Sequence, residues 1–193
     1  MYSMAKLVDL VDNILTDKNT THSYMDLYET LFSSKKESAT AVLEVGIQHG
    51  GSIKLWRDYF TNAKVYGIDI EQMHPMLPPA LCVDPNVVLN YTTNAYDPVV
   101  VKEKFVDTGV KFDIVLDDGC HSYVGMTKFI ELYLPLVKDD GILVVEDVPS
   151  MERVEELRSI VPEQYKKCIQ VFDLRACKGR FDDIVFVVDK SAC

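Results

Sequence analysis

Residues 41–70, AVLEVGIQHGGSIKLWRDYFTNAKVYGIDI, decide the fold. An apolar run at 42–45 meets a turn that carries Gly46, Gly50 and Gly51. Ile53, Trp56 and Phe60 follow at helical spacing, and a second apolar run from Val65 closes on Asp69. Strand, glycine turn, amphipathic helix, strand and terminal acid make up half of a nucleotide-binding α/β domain. The acid ending the second strand sits where such domains hold a ribose hydroxyl pair. The stretch therefore points to an adenosine-type cofactor.

The alternation continues outward from there. Apolar runs at 87–91, 112–117, 141–146, 168–172 and 184–188 read as further strands. Helical stripes lie between them, at 98–106 with Asp97 as N-cap, at 126–133, and at 151–161 where Pro162 ends the pattern. Residues 73–85 hold four prolines and cannot form a long helix. Upstream, Leu7, Leu10, Val11, Ile14 and Leu15 are spaced as one helix face, and Tyr24, Leu27, Tyr28 and Leu31 as another. Strands alternating with helices imply a mostly parallel sheet of seven strands with helices on both faces. One α/β domain over 1–193 is expected, with N-terminal helices within 1–34 and the core over 41–193.

Composition narrows the partners. The 193 residues are 48% hydrophobic and 26% charged, with a net charge of −10. A nucleic-acid binder shows a basic footprint and this chain has none, so DNA and RNA are disfavoured. Small molecules and neutral glycans stay open, as does a homo-oligomer. No apolar run approaches the ~20 residues that cross a bilayer, and Lys6 and Asp9 interrupt the N-terminal apolar stretch, so neither a membrane span nor a signal peptide is expected. Five cysteines without CxxC pairing argue for reduced thiols in a cytoplasmic protein, with no disulfide framework or structural zinc site.

Three features add to the glycine turn. Glu44 stands inside an otherwise apolar strand, so its carboxylate has a buried or ligand-facing role. Ser52 is placed to cap the next helix, and Asp69 is followed by Ile70 and Glu71. The turn is not GxGxxG, which speaks against a dinucleotide, and its neighbourhood offers carboxylates where phosphates would want basic groups. E-V-G-x-x-x-G-G-S followed by G-I-D-I resembles the Rossmann-like S-adenosylmethionine-dependent methyltransferases. The resemblance implies that Glu44, Gly46, Gly50, Ser52, Asp69 and Ile70 line the cofactor. It also implies that Asn94 and Ala95, after the third strand, read the adenine edge, although good turn chemistry accounts for those two equally well.

The second informative segment is FDIVLDDGCHSY, residues 112–123. It delivers Asp117 and Asp118 to the carboxyl end of a strand, where doubly wound sheets bind ligands. His121 arrives just before the next helix, and GILVVEDV ends the following strand on Glu146 and Asp147. If those strands are neighbours, four carboxylates and an imidazole converge on one rim. Such crowding suggests a cation, and oxygen ligands favour Mg²⁺ or Ca²⁺ over zinc.

Taken with DKNTTHSYMDLYETLF at 17–32, these segments resemble the metal-dependent sugar O-methyltransferases of macrolide antibiotic biosynthesis, of the mycinamicin and macrocin type, and their cephalosporin hydroxylase-like relatives. The resemblance runs from Asp17 to Asp147. It implies Asp118, Glu146 and Asp147 as ligands of Mg²⁺ or another divalent cation and His121 as general base, with Asp117 beside it in both the catalytic and the cofactor set. Cys120 stands where a serine is common, and the chain lacks that family's long insertions. The expected activity is methylation of a sugar hydroxyl on a glycoside or glycan. The alternatives are another small-molecule diol or a non-catalytic cofactor-binding module. Arg175 and Arg180 are expected to pair with nearby acids.

Overall fold

A computed structural model describes residues 5–193; the first four residues of the segment 1–34 lie outside the described residues. Seven strands form one sheet: β1 (Ala41–Val45), β2 (Lys64–Ile68), β3 (Val87–Asn90), β4 (Phe112–Asp117), β5 (Val137–Val145), β6 (Ile169–Asp173) and β7 (Ile184–Asp189). Their order is β3-β2-β1-β4-β5-β7-β6. The first five run parallel, and β7 runs antiparallel to both its neighbours. Strand order reverses between β1 and β4, which opens a crevice at their carboxyl ends.

Strand alternation sorts side chains onto the two faces. On one face, Leu43, Val45, Val115, Leu143 and Val145 pack beneath α6 (Tyr123–Tyr133) and α7 (Met151–Ile160). On the other, Val42, Ile114, Leu116 and Val144 pack beneath α2 (Met25–Phe32) and α3 (Gly51–Tyr59), which contribute Tyr28, Phe32 and Trp56. Edge-on contacts of Tyr28 and Phe32 with Trp56, at 5.7 and 5.9 Å between centroids, join α2 to α3.

Two expectations about local structure need correction. The stripe from Leu7 to Leu15 is not one helix. Only Leu7–Leu10 is helical, because Val11 is extended and the Asp12 carboxylate accepts the Ile14 N–H, closing a turn instead. Strand β5 also starts earlier than its apolar core, since its pairing with β4 slips between Phe112 and Ile114 and lets the polar residues Lys138 to Asp140 bulge out.

The irregular stretch after Val11 is pinned on the glycine turn. A Cβ on Gly51 would lie 2.4 Å from the Leu15 carbonyl, so only glycine lets the N-terminal segment cross here. That crossing brings residues 15–22 over the sheet's carboxyl edge.

The cysteine reading also fails in part. Cys168 and Cys193 form a disulfide with Cα atoms 5.2 Å apart, while Cys82, Cys120 and Cys177 are free and exposed. Spacing carries no sign of this pair. It arises because β6 starts beside the end of β7 (Ile169 against Val188) and the chain then folds back. Among the described residues, no helix is long and apolar enough to cross a membrane.

Asp113 fastens the base of the sheet. Its Oδ2 accepts the N–H groups of Thr40 and Ala41 at 2.8 and 2.9 Å, and Lys138 Nζ lies 2.9 Å away. Burial alone would raise its pKa, but Lys138 and the two N–H groups overcome this and hold it below the usual carboxylate value. A lowered native pKa stabilises the fold above the unfolded value near pH 4, and that contribution disappears as pH falls through the native value. Asp113→Ala is therefore expected to cost about 2–3 kcal/mol at pH 7. The gap to wild type, measured by urea unfolding, should close in strong acid.

Candidate active site

A cavity of about 560 Å³ opens at the switch point between β1 and β4. It is lined by the β1–α3 turn, the end of β2, the loop after β3 and the segment after β4. The N-terminal residues Leu15, Thr16, Asp17 and His22 close one side, and Asp147, Arg180 and Asp182 close another.

Gly46 makes this convergence possible. Its φ is +94°, and a Cβ would sit 2.1 Å from the Asp118 carbonyl oxygen. The backbones of β1 and β4 thus touch where the loops diverge, and Asp118 N donates to Val45 O at 2.9 Å. Of the residues expected to line a cofactor, Gly46, Ser52, Asp69, Ile70, Asn94 and Ala95 do face the cavity. Asp69 also braces the glycine turn, since its Oδ2 accepts the Ile47 and Gln48 N–H groups at 2.7 and 3.1 Å. Ser52 lies inside the first turn of α3, and Gly50 occupies the N-cap.

Glu44, Gly50 and Asp117 do not line the cavity. Glu44 shares the Val42 face and is fully buried, accepting from Trp56 Nε1 at 3.0 Å. Gly50, at φ +79°, faces Leu77 instead. Asp117 lies under the loop, where its Oδ1 accepts from Tyr96 OH at 2.7 Å. The same hydroxyl accepts the Cys120 N–H at 3.1 Å, so this pair shapes the DDGCH turn from below. Burial, with the charge of Asp118 adding to it, pushes the Asp117 carboxyl up to about 7.

The acids converge as the neighbouring strands β4 and β5 require, but in two tiers. The inner tier surrounds Lys18, whose Nζ lies 2.5 Å from Glu146 Oε2, 2.6 Å from Asp118 Oδ2 and 3.3 Å from Glu44 Oε1. Lys18 is 1% exposed. Burial opposes its charge, yet the three carboxylates outweigh that and raise its pKa well above the ordinary lysine value. One ammonium cannot neutralise three acids, so the Glu146 and Glu44 carboxyls are pushed up by burial despite it.

Glu146 belongs wholly to this tier. It continues the alternation of Ile142 and Val144 toward α2, where Tyr28 OH donates to its Oε1. Its two oxygens meet Lys18 Nζ and Tyr28 OH, and it does not line the cavity.

The outer tier faces the cavity. Asp118 Oδ1 lies 3.8 Å from His121 Nε2, and Asp147 Oδ2 lies 3.4 Å from His121 Nδ1. Ligand atoms of Asp118, His121 and Asp147 lie within 4.8 Å of one another. His121 and Asp147 hold φ values of 47° and 54°, the left-handed region that non-glycine residues seldom occupy. Tyr24 OH donates to Asp147 Oδ1, and His22 Nδ1 lies 3.3 Å from the same oxygen and 2.6 Å from the buried Asp183 Oδ1. Burial and the nearby Asp118 charge raise the Asp147 pKa despite these donors. Arg175 and Arg180 are ion-paired with Asp173 and Asp182, as expected, although Arg180 also reaches the cavity wall.

Lys18, His22 and Asp183 were absent from the expected site. Lys18 and His22 lie in the segment 17–32, but Asp118, Glu146 and Asp183, which they meet, lie 100 to 161 residues away, beyond any local pattern. Asp183 gave no signal at all.

Relatives include the 8-demethyl-8-alpha-L-rhamnosyl tetracenomycin-C 2'-O-methyltransferase of Streptomyces olivaceus, 29% identical over 69% of this chain and 35% of that protein. Demethylmacrocin O-methyltransferase of Streptomyces fradiae is 29% identical over 74% of this chain and 36% of its own length. The chain thus spans about a third of the length of these curated relatives. Among solved structures, the MycE methyltransferase of the mycinamycin biosynthetic pathway, in complex with Mg and SAH, superposes with a TM-score of 0.73. It is 19% identical, with 97% of this chain and 55% of that one covered. The profile of the FtsJ-like methyltransferases matches residues 23–172, and the chain belongs to that family.

Proposed function

We propose that this protein is an S-adenosylmethionine-dependent, divalent-cation-dependent O-methyltransferase acting on a sugar hydroxyl of a glycoside. One observation carries the reading. The cavity floored by the glycine turn ends on the open oxygens of Asp118 and Asp147 with His121 between them. Cofactor wall and proton-accepting group therefore share one space.

The cavity's chemistry suits a cationic cofactor. Asp17, Asp69, Glu71, Asp118, Asp147 and Asp182 line it against a single arginine, Arg180. A sulfonium gains from that field, whereas the phosphates of a dinucleotide would be repelled. Gly46, Ser52, Asp69, Ile70, Asn94 and Ala95 are assigned to the S-adenosylmethionine side, which supplies an electrophilic methyl group. The net charge of −10 argues in the same way against a polyanionic acceptor.

The outer tier fits a hard cation. Its open donors are two carboxylate oxygens, and the surplus of acids over Lys18 leaves negative charge uncompensated. Asp118 and Asp147 are assigned as its holders, with Glu146 behind them as an anchor of Lys18. When bound, a divalent cation supplies Lewis-acid stabilisation to charge developing on an acceptor hydroxyl.

His121 accepts the hydroxyl proton. Its ring is 41% exposed, so an acceptor can reach it, and Asp118 and Asp147 flank it at 3.8 and 3.4 Å. Ser122 caps α6 by accepting the Gly125 N–H, which fixes the turn that presents His121. The glycosides named for the relatives support a sugar acceptor, as does the solved MycE complex with Mg, SAH and Mycinamycin VI.

Two outcomes test this. Labelled methyl transfer should appear on a panel of glycosides with free vicinal hydroxyls, vanish after exhaustive EDTA treatment, and return with Mg²⁺; full activity after chelation contradicts the cation assignment. His121→Ala should lose turnover by about 10²–10⁴-fold while S-adenosylhomocysteine binds as in wild type by calorimetry. Unchanged turnover in that variant removes His121 from the reaction.

A further inference from the structure

The inner tier is built as a cation site, and its cation is a side chain. Glu44, Asp118 and Glu146 offer ligand oxygens within 4.8 Å of one another, a spacing that can hold a metal ion. Lys18 Nζ occupies the middle of that group. Glu44 Oε1 is buried without a hydrogen-bond partner and stands 3.3 Å from the ammonium, an acceptor aimed at the same point. Asp118 bridges the tiers, giving Oδ2 to Lys18 and turning Oδ1 to the cavity.

We propose that Lys18 is a resident counter-ion that fills the deep Glu44–Asp118–Glu146 cation site and positions Asp118, so that the deep site takes no divalent ion unless Lys18 is removed. The proposal rests on the outer-site reading only through the total number of ions, not through the change that loss of Lys18 causes.

The physical argument is one of charge and shape. Three ionised carboxylates this close repel one another, and a cation at their centre offsets that repulsion. A tethered ammonium meets that need without competing with protons or solutes for occupancy. Tyr28 OH donates to the other oxygen of Glu146, so both its oxygens have a donor. Shortening Lys18 to alanine empties a space of ion size while leaving all the carboxylates in place.

Manganese titration of the full chain, with free Mn²⁺ read by electron paramagnetic resonance, tests this. Lys18→Ala is expected to bind one Mn²⁺ more per chain than wild type and to gain a Mn²⁺-dependent rise in its thermal midpoint. Equal stoichiometry in the two folded proteins overturns the proposal. If wild type binds no Mn²⁺, the proposed function loses its metal, yet the predicted gain of one ion in Lys18→Ala is still read separately.

Should Lys18→Ala fail to fold, the triple variant Lys18→Met, Glu44→Gln, Glu146→Gln decides. It is expected to fold and to bind no ion beyond the wild-type number, because cation and surplus charge leave together. A triple variant that also fails to fold, or that takes up the extra ion, overturns the counter-ion role.

Discussion

The ammonium of Lys18 stands within 3.3 Å of oxygens from Glu44, Asp118 and Glu146, and those three residues come from β1 and from the segments that follow β4 and β5. Each carboxylate is carried to that point by the alternation of a strand on the face beneath α2 and α3, or by the turn just beyond it. Without a cation the carboxyl ends of the three strands would repel one another in a medium that screens little. Removing one partner of such a buried group typically costs about 3–5 kcal/mol. The sheet can end in a cluster of acids because the N-terminal segment returns to supply the compensating charge.

This arrangement divides the labour between tiers. Tyr28, Trp56 and Lys18 engage the inner oxygens, and that engagement fixes the direction of Asp118. The outer oxygens of Asp118 and Asp147 then meet the cavity beside His121. The short segment from Leu15 to His22 serves both tiers, since it carries Lys18 inward and presents Asp17 and His22 to the cavity wall. Its path depends on Gly51, where a side chain would collide with the Leu15 backbone.

Much of the fold was legible in the sequence for a physical reason. Strands buried on both faces read as mostly apolar runs, and those at 42–45, 112–117 and 184–188 stand out from polar surroundings. The cavity-facing residues after the strands were legible too, because ligand sites collect at strand ends. What escaped was direction. Glu44 was read as buried or ligand-facing and is buried, and strand parity with Val42 and Val144 turns both it and Glu146 toward the face beneath α2 and α3. Asp117 shares the opposite face with Val115 and disappears beneath Tyr96. Lys18 could not be singled out, because a lysine in a polar stretch reads as solvated until its distant partners are known. The Cys168–Cys193 pair was hidden in the same way, since only the pairing of β6 with β7 brings the two together.

The deep carboxylates hold the Lys18 ammonium as their cation, and the outer oxygens of Asp118 and Asp147 face the cavity. Anomalous diffraction from crystals soaked in Mn²⁺ tests it most directly. The account predicts one peak on the cavity side, bounded by Asp118 and Asp147, with the Lys18 ammonium still hydrogen-bonded to Glu146. A peak amid Glu44, Asp118 and Glu146 with Lys18 swung away would contradict it.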